Sequence, residues 1–260
     1  MKELKNNNLS DIQQSFSEQA GGFNSKSYHL SKAEYQNYMI EKTAPAKEDT
    51  VLEVAAGTCI CGRAFAHHTA HVTCLDATDA MLSVGKEEAE KEKLSNITFV
   101  RGVAEELPFL DNSFDIVISR LAFHHFVNPK EIFAEMKRVL RPGGKLVLMD
   151  MTVEQETLRD EVDRIERMRD FSHVKDLTIA EMKELYAKNK MQLVLQEQID
   201  IPVSLNDWLN LTHTKKEQQD CIINLMKQDM AGQRKTGFSP YEKDGKIYFN
   251  HHWVFNMGIK

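Results

Sequence analysis

The chain has 260 residues, 33 Lys and Arg against 39 Asp and Glu, a formal charge of −6 and 42% hydrophobic residues. That balance suits a globular protein able to bury a core without staples, and the acidic excess argues against broad nucleic-acid binding. The longest stretch free of acids and bases, Ile247–Ile259, carries two Asn and two His, which is too polar for a membrane span.

The opening MKELKNNNLSD has no apolar signal region. Cys59, Cys61, Cys74 and Cys221 show no framework spacing, so reduced thiols in a cytoplasmic protein are expected. Residues 1–25 are polar and read as a loosely ordered arm with one short helix. A helix is expected over 31–42, with Tyr35, Tyr38 and Met39 on one side.

Five short apolar runs follow, at 50–56, 71–76, 96–103, 114–120 and 145–151. Each is flanked by turn residues, as buried parallel strands are. A helix is expected over 78–92, opened by Thr78 and Asp79. Asn128, Pro129 and Glu131 form a second start signal, and Ile132, Phe133, Met136, Val139 and Leu140 an apolar stripe at helical spacing. Pro142-Gly143-Gly144 is expected to stop that helix before the fifth strand. Alternating strands and helices predict an α/β sandwich around a parallel sheet.

The last part of the chain reads differently. Residues 154–170 are charged, with Leu158, Val162, Ile165 and Met168 as a narrow stripe suited to a surface or lid helix. Thr178 and Glu181 fit a capping box. Residues 191–201 alternate as an edge or antiparallel strand does, 205–236 read as mostly helical, and 245–259 as a final strand or hairpin arm. The organisation expected is an arm and cap helix over 1–44, a core over 45–152, and lid helices, a substrate-side insertion and final strands of the same sheet over 153–260.

The loop Glu53-Val54-Ala55-Ala56-Gly57-Thr58-Cys59 follows the first strand, where a glycine lets backbone approach a ligand. It is not G-x-G-x-x-G, and no Walker lysine is present. By itself it is also compatible with a plain tight turn. Asp76 ends the second strand, where a carboxylate can hold two ribose hydroxyls or simply cap a turn. Met81 can pack on a base or belong to the core. Phe123-His124-His125-Phe126 follows the fourth strand. Either His can be a general base, since imidazole titrates near neutrality, or can bond to backbone. Arg169-Asp170-Phe171-Ser172-His173 is either a solvated helix end or a polar lid motif. No metal site is read. Cys59, Cys61 and Cys74 lack zinc spacing, and His67, His68 and His71 read as surface imidazoles. Alternation sends His251 and His252 to opposite faces.

As a set, the acid-led loop, Asp76, Ala104-Glu105-Glu106-Leu107-Pro108-Phe109 and Arg141-Pro142-Gly143-Gly144 resemble the class I S-adenosylmethionine-dependent methyltransferases. The likeness covers about residues 15–150 and is nearest the small-molecule branch typified by the ubiquinone/menaquinone methyltransferases. It implies a doubly wound, mostly parallel seven-stranded Rossmann-like sheet with helical lid insertions. It implies that Glu53, Ala55, Gly57 and Thr58 line the methionine and ribose end of the cofactor. Asp76 would hold the ribose, Ala77 and Met81 would flank the adenine, and Val103 and Ala104 would border its edge. Ser119 and Arg120 end the strand from which members offer a carbonyl to the cofactor amino group. Phe16–Ala20 is similar to the family's leader helix over the pocket. Three positions depart from the pattern. Glu53 stands for Asp, and Cys59 for a second Gly. Val103 replaces an Asp that accepts from the adenine amino group, a loss of about 1.5–3 kcal/mol.

The resemblance implies in-line methyl transfer to a small, moderately apolar acceptor, with S-adenosylhomocysteine as product. His124, His125, Asp170 and His173 are the catalytic candidates. A non-enzymatic cofactor-binding relative and an NAD-dependent oxidoreductase are the alternatives. A homodimer through the final strand is left open.

Overall fold

Both faces of the central strands are buried, which is why their sequences read as continuous apolar runs rather than as alternation. The computed structural model describes residues 2–20, 32–212 and 214–260. The strands are β1 (Thr50–Val54), β2 (His71–Asp76), β3 (Ile97–Arg101), β4 (Phe114–Arg120), β5 (Leu140–Thr152), β6 (Gln192–Ser204), β7 (Tyr241–Lys243) and β8 (Lys246–Ile259). The helices are α1 (Lys2–Gln19), α2 (Ala33–Thr43), α3 (Ile60–Ala66), α4 (Asp79–Lys91), α5 (Pro129–Val139), α6 (Arg159–Arg169), α7 (Ile179–Lys188), α8 (Leu205–Leu211) and α9 (Lys216–Met230).

The sheet runs β3-β2-β1-β4-β5-β8-β6, with β7 a short addition paired to β8. The first five strands are parallel, and β8 and β6 are antiparallel. Apart from the added β7, this is the doubly wound, mostly parallel seven-stranded sheet expected. Strand order reverses between β1 and β4, so the crevice at their carboxyl ends is the natural ligand site.

Pleating divides the strand residues between two cores. Leu52, Val54, Val117, Leu146, Leu148 and Val254 face one cluster, and Val51, Ile116, Ile118, Val147, Met149 and Phe255 face the other. The α5 stripe of Ile132, Phe133, Met136 and Val139 is wholly buried in the first cluster. Each such side chain contributes about 1.5–3 kcal/mol relative to exposure. Met39 of α2, Phe65 of α3 and Ile165 of α6 fill the second cluster.

Local signals held at several ends. Thr178 Oγ1 accepts the Glu181 N–H at 3.1 Å, and Glu181 Oε2 accepts the Thr178 N–H at 2.9 Å, closing the expected capping box. Pro129 opens α5, but the Asn128 side chain makes no cap bond. The α5 helix ends at Val139, before Pro142, and residues 141–144 form an irregularity inside β5. Gly143, at φ +79°, makes that bend and leaves Phe114 opposite Leu140 while Ile116 meets Lys145. The N-terminal arm is more regular than expected, since α1 runs unbroken from Lys2 to Gln19. Residues 21–31, including Gly21, Gly22 and Ser31, lie outside the described residues. Among the described residues, no helix is long and apolar enough to cross a membrane.

Candidate active site

The loop after β1 is built from alternating left-handed residues: Ala55 at φ +54°, Gly57 at +53° and Cys59 at +57°. This conformation is easy for glycine and costs a residue with a Cβ about 1–2 kcal/mol. Cys59 therefore keeps the backbone shape that a glycine would take, at a cost, and its side chain is fully buried. A Cβ built on Gly57 would meet nothing within 4 Å, so this backbone faces open space.

Two carboxylates frame the loop. Glu53 Oε2 accepts the Gly62 N–H at 2.7 Å, and the Cys74 thiol lies 3.6 Å away. A larger residue at 62 would force its neighbours to shift, because a Cβ there would sit 2.3 Å from Cys74 Sγ. Burial pushes Glu53 up to about 7, against the pull of the Gly62 N–H. Asp76 Oδ2 accepts the Gly57 N–H at 2.7 Å, and its Oδ1 accepts the Thr78 N–H at 2.8 Å. Burial raises the Asp76 carboxyl despite these donors. The neighbouring thiols are inert by the same cause: burial pushes Cys61 up to about 12 and Cys74 well above its ordinary value.

Across the crevice, a 3-10 turn over Phe123–His125 follows β4. Asp150, in β5, fixes it. Its Oδ2 accepts the Ala122 and Phe123 N–H groups at 3.0 and 2.6 Å. Its Oδ1 accepts the Met151 N–H at 2.7 Å and lies 2.6 Å from His124 Nδ1. An ionised carboxylate can only accept, so Nδ1 carries the proton and the Nε2 lone pair of neutral His124 is left to act as a base. Burial alone would raise Asp150 and lower His124. Their attraction reverses both, holding Asp150 below the carboxylate range and His124 above the usual imidazole value.

His125 behaves differently. Its Nδ1 lies 3.1 Å from the Ser172 carbonyl, so that nitrogen donates. Burial, with His124 beside it, pushes His125 down to about 3, so it stays neutral. The His124 carbonyl accepts the Val174 and Lys175 N–H groups, which clamps the turn to the loop after α6. Asp170 Oδ1 in that loop accepts from the Ser172 hydroxyl at 2.6 Å and from Ser15 of α1 at 2.9 Å. Asn8 of α1 donates to the His125 carbonyl and Gln13 to the Ala77 carbonyl. These bonds hold α1 against the crevice.

These elements enclose a solvent-open cavity of about 1040 Å³. Glu53, Ala55, Gly57, Thr58, Asp76, Met81, Arg120, His124, His125 and Asp170 all line it. Ala77, Val103, Ala104 and His173 do not. Ala104 is packed in the apolar core beside Leu107, and Ala77 sits under Gln13. His173 points behind the turn, where its Nε2 lies 2.9 Å from Asp163 Oδ1 and its ring stacks on His124 at 5.7 Å. Asp170 and His173 are both buried, which excludes the solvated helix end. Sequence reasoning missed Asp150 and His251, while Arg169, named within the lid motif, also borders the cavity. An acid inside an apolar strand run was the signal for Asp150. His251 and His252 do diverge: His251 borders the cavity, and His252 pairs with Asp200.

A family model described as a methyltransferase domain matches residues 52–148, and one described as the anamorsin N-terminal domain matches 105–206. The uncharacterized methyltransferase YcgJ of Bacillus subtilis is 29% identical over 222 residues, covering 84% of this chain and 88% of its own. The crystal structure of YcgJ superposes with a TM-score of 0.80, covering 88% of this chain and 99% of that one. The uncharacterized protein YafE of Escherichia coli is 33% identical over 183 residues, 69% of this chain and 86% of YafE. The ubiquinone/menaquinone biosynthesis C-methyltransferase UbiE of Shewanella pealeana is 34% identical over 125 residues, covering 46% of this chain and 50% of UbiE.

Proposed function

From the premise that this chain belongs to the class I S-adenosylmethionine-dependent methyltransferases, we propose that it methylates a small, moderately apolar acceptor whose attacking atom must first lose a proton. The observation that carries the reading is one cavity with two unlike walls. On one side lie Glu53, the Ala55–Thr58 loop and Asp76; on the other stands His124 braced by Asp150.

The first wall suits the cofactor. Gly57 leaves backbone open, the buried Thr58 Oγ1 has no hydrogen-bond partner among the described residues, and Asp76 keeps acceptor capacity beyond its two backbone donors. Asp76 would hold the ribose hydroxyls, and Glu53, Ala55, Gly57, Thr58 and Arg120 the remainder, with Met81 against the base. The cofactor, when bound, supplies an activated methyl on a sulfonium leaving group.

The chain then aligns and deprotonates. Ile12, Phe16, Phe126 and Leu211 give the acceptor end an apolar lining that excludes water. His124 Nε2 takes the acceptor proton, and Asp150 stabilises the imidazolium that results. His125 is too weakly basic for that role and positions the turn through Ser172. Asp170 holds α1 over the cavity through Ser15. Phenols and quinols, whose protons are acidic enough for imidazole, are the acceptors expected.

Radiolabelled methyl transfer to a panel of phenols, quinols and amines tests this. Transfer to a hydroxylated member, rising with pH as His124 loses its proton and reduced at least a hundredfold in His124→Gln, is expected. Transfer only to amines, with His124→Gln unimpaired, would remove the base from the account. Cofactor binding without transfer to any acceptor would favour a non-enzymatic role.

A further inference from the structure

Behind the catalytic turn lies a buried polar cluster to which methyl transfer assigns nothing. Asp163 of α6 and His173 and Asp176 of the loop before α7 are each at most 4% exposed. His173 Nε2 is 2.9 Å from Asp163 Oδ1, and the Asp176 N–H donates to that same oxygen at 2.9 Å. One ligand-capable atom from each of the three side chains lies within 4.8 Å of the others.

Asp176 is the anomaly. Its Oδ1 is buried and receives no hydrogen bond among the described residues, where buried polar atoms almost always find a partner. The surroundings deepen the deficit. Glu166 adds a second buried carboxylate, and its own counter-charges are Arg169 at 3.4 Å and His251 at 3.8 Å. Asp150 is held by His124. A buried carboxylate oxygen with no donor is unfavourable, and a cation shared with His173 and Asp163 would satisfy it. A small cleft lined by Glu166, Asp176, Asn250 and His251 opens beside Asp176.

We propose that Asp163, His173 and Asp176 bind a divalent transition-metal ion of the Mn²⁺ and Zn²⁺ class. Two carboxylates and one imidazole are borderline ligands that suit such ions better than Ca²⁺, which takes six to eight oxygens. The 2.9 Å between His173 Nε2 and Asp163 Oδ1 matches two ligands at right angles on bonds of about 2.1 Å. The ion takes the place of the proton these atoms share. It ties α6 to the loop carrying Asp170, and through His173 it sits one stacked ring from His124. Its role is structural, and it does not depend on the acceptor or on the methyl-transfer reading.

The test strips the intact chain with a chelator and titrates it with Mn²⁺, following free Mn²⁺ by its paramagnetic resonance spectrum. Mn²⁺ avoids capture by the exposed Cys221 thiol. One saturable site per chain is expected, displaced by Zn²⁺ and weakened at least tenfold in both Asp176→Asn and His173→Gln. Absence of a saturable site in the wild-type chain overturns the proposal, as does equal affinity in the wild type and folded variants. Should a variant fail to fold, the wild-type chain still decides. Mn²⁺ must raise its thermal midpoint while an equal concentration of Mg²⁺ does not, and no difference between the two ions is a refutation.

Discussion

Replacing Asp150 with Asn changes one atom and removes the charge that organises the Phe123–His125 turn. The carboxylate takes four donors: the Ala122, Phe123 and Met151 N–H groups and His124 Nδ1. An amide offers one oxygen, which can keep two of them, and turns its own N–H₂ toward the other two. Two charge-assisted bonds at about 1.5–3 kcal/mol each are lost, so destabilisation of about 3–6 kcal/mol is expected. That agrees with the roughly 3–5 kcal/mol typical of breaking a buried ion pair from one side. It is also a large fraction of the roughly 5–15 kcal/mol that holds a domain folded. Urea unfolding at neutral pH gives the loss. Imidazole resonances of the folded variant give the second readout, because the His124 pKa must fall once burial is no longer opposed by Asp150. A loss below about 1 kcal/mol, with the His124 titration unmoved, would refute the picture of Asp150 as the brace of the turn.

Four further outcomes follow from the same geometry. Ala55→Gly relieves a left-handed alanine but loosens the unfolded chain, for a net gain of about 0.5–1 kcal/mol, visible as a rise of about 1–4 °C in Tm; a fall in Tm would contradict it. Glu53 has a folded pKa of about 7, above its ordinary 4.5, so its contribution is fully present below about pH 4.5 and lost as pH rises through about 7. That loss is on the order of 3 kcal/mol, and Glu53→Gln should flatten the fall in stability between pH 5 and pH 8; parallel pH profiles for the two proteins would count against the buried, protonated acid. Gly62→Ala places a Cβ against Cys74 Sγ and Glu53 Oε2 and should cost about 1–3 kcal/mol, with normal stability in the variant as the contrary result. Thr178→Ala opens the capping box and should cost about 0.5–2 kcal/mol by urea unfolding, and no loss would deny the cap its role.

What could be read in advance follows physical range. The α5 stripe was legible because burial at helical spacing is a local pattern, and Ile132, Phe133, Met136 and Val139 are all fully buried. The β1 loop and Asp76 were legible because strand ends are marked by turn residues, and both line the cavity. Asp150 was not, because its meaning depends on a turn 26 residues away in sequence. His173 was placed in the cavity on its nearness to Asp170, yet the loop turns it toward Asp163 on the far side. The arm over 1–25 showed no strong apolar period, and its helix is held down by polar contacts from Asn8, Gln13 and Ser15 that no periodicity announces. The Pro-Gly-Gly segment was read as a helix stop, but α5 had already ended and the glycines serve a strand irregularity instead.

The most direct measurement is calorimetric titration of the chain with S-adenosylmethionine and S-adenosylhomocysteine, repeated with Asp76→Asn. Asp76 lies against Gly57 and Thr78 on the wall proposed to hold the cofactor, so saturable binding of both ligands at one site per chain is expected, weakened at least tenfold in the variant. Absence of binding by a folded wild-type chain, or affinity unchanged in Asp76→Asn, would contradict the assignment of this cavity to the methyl donor.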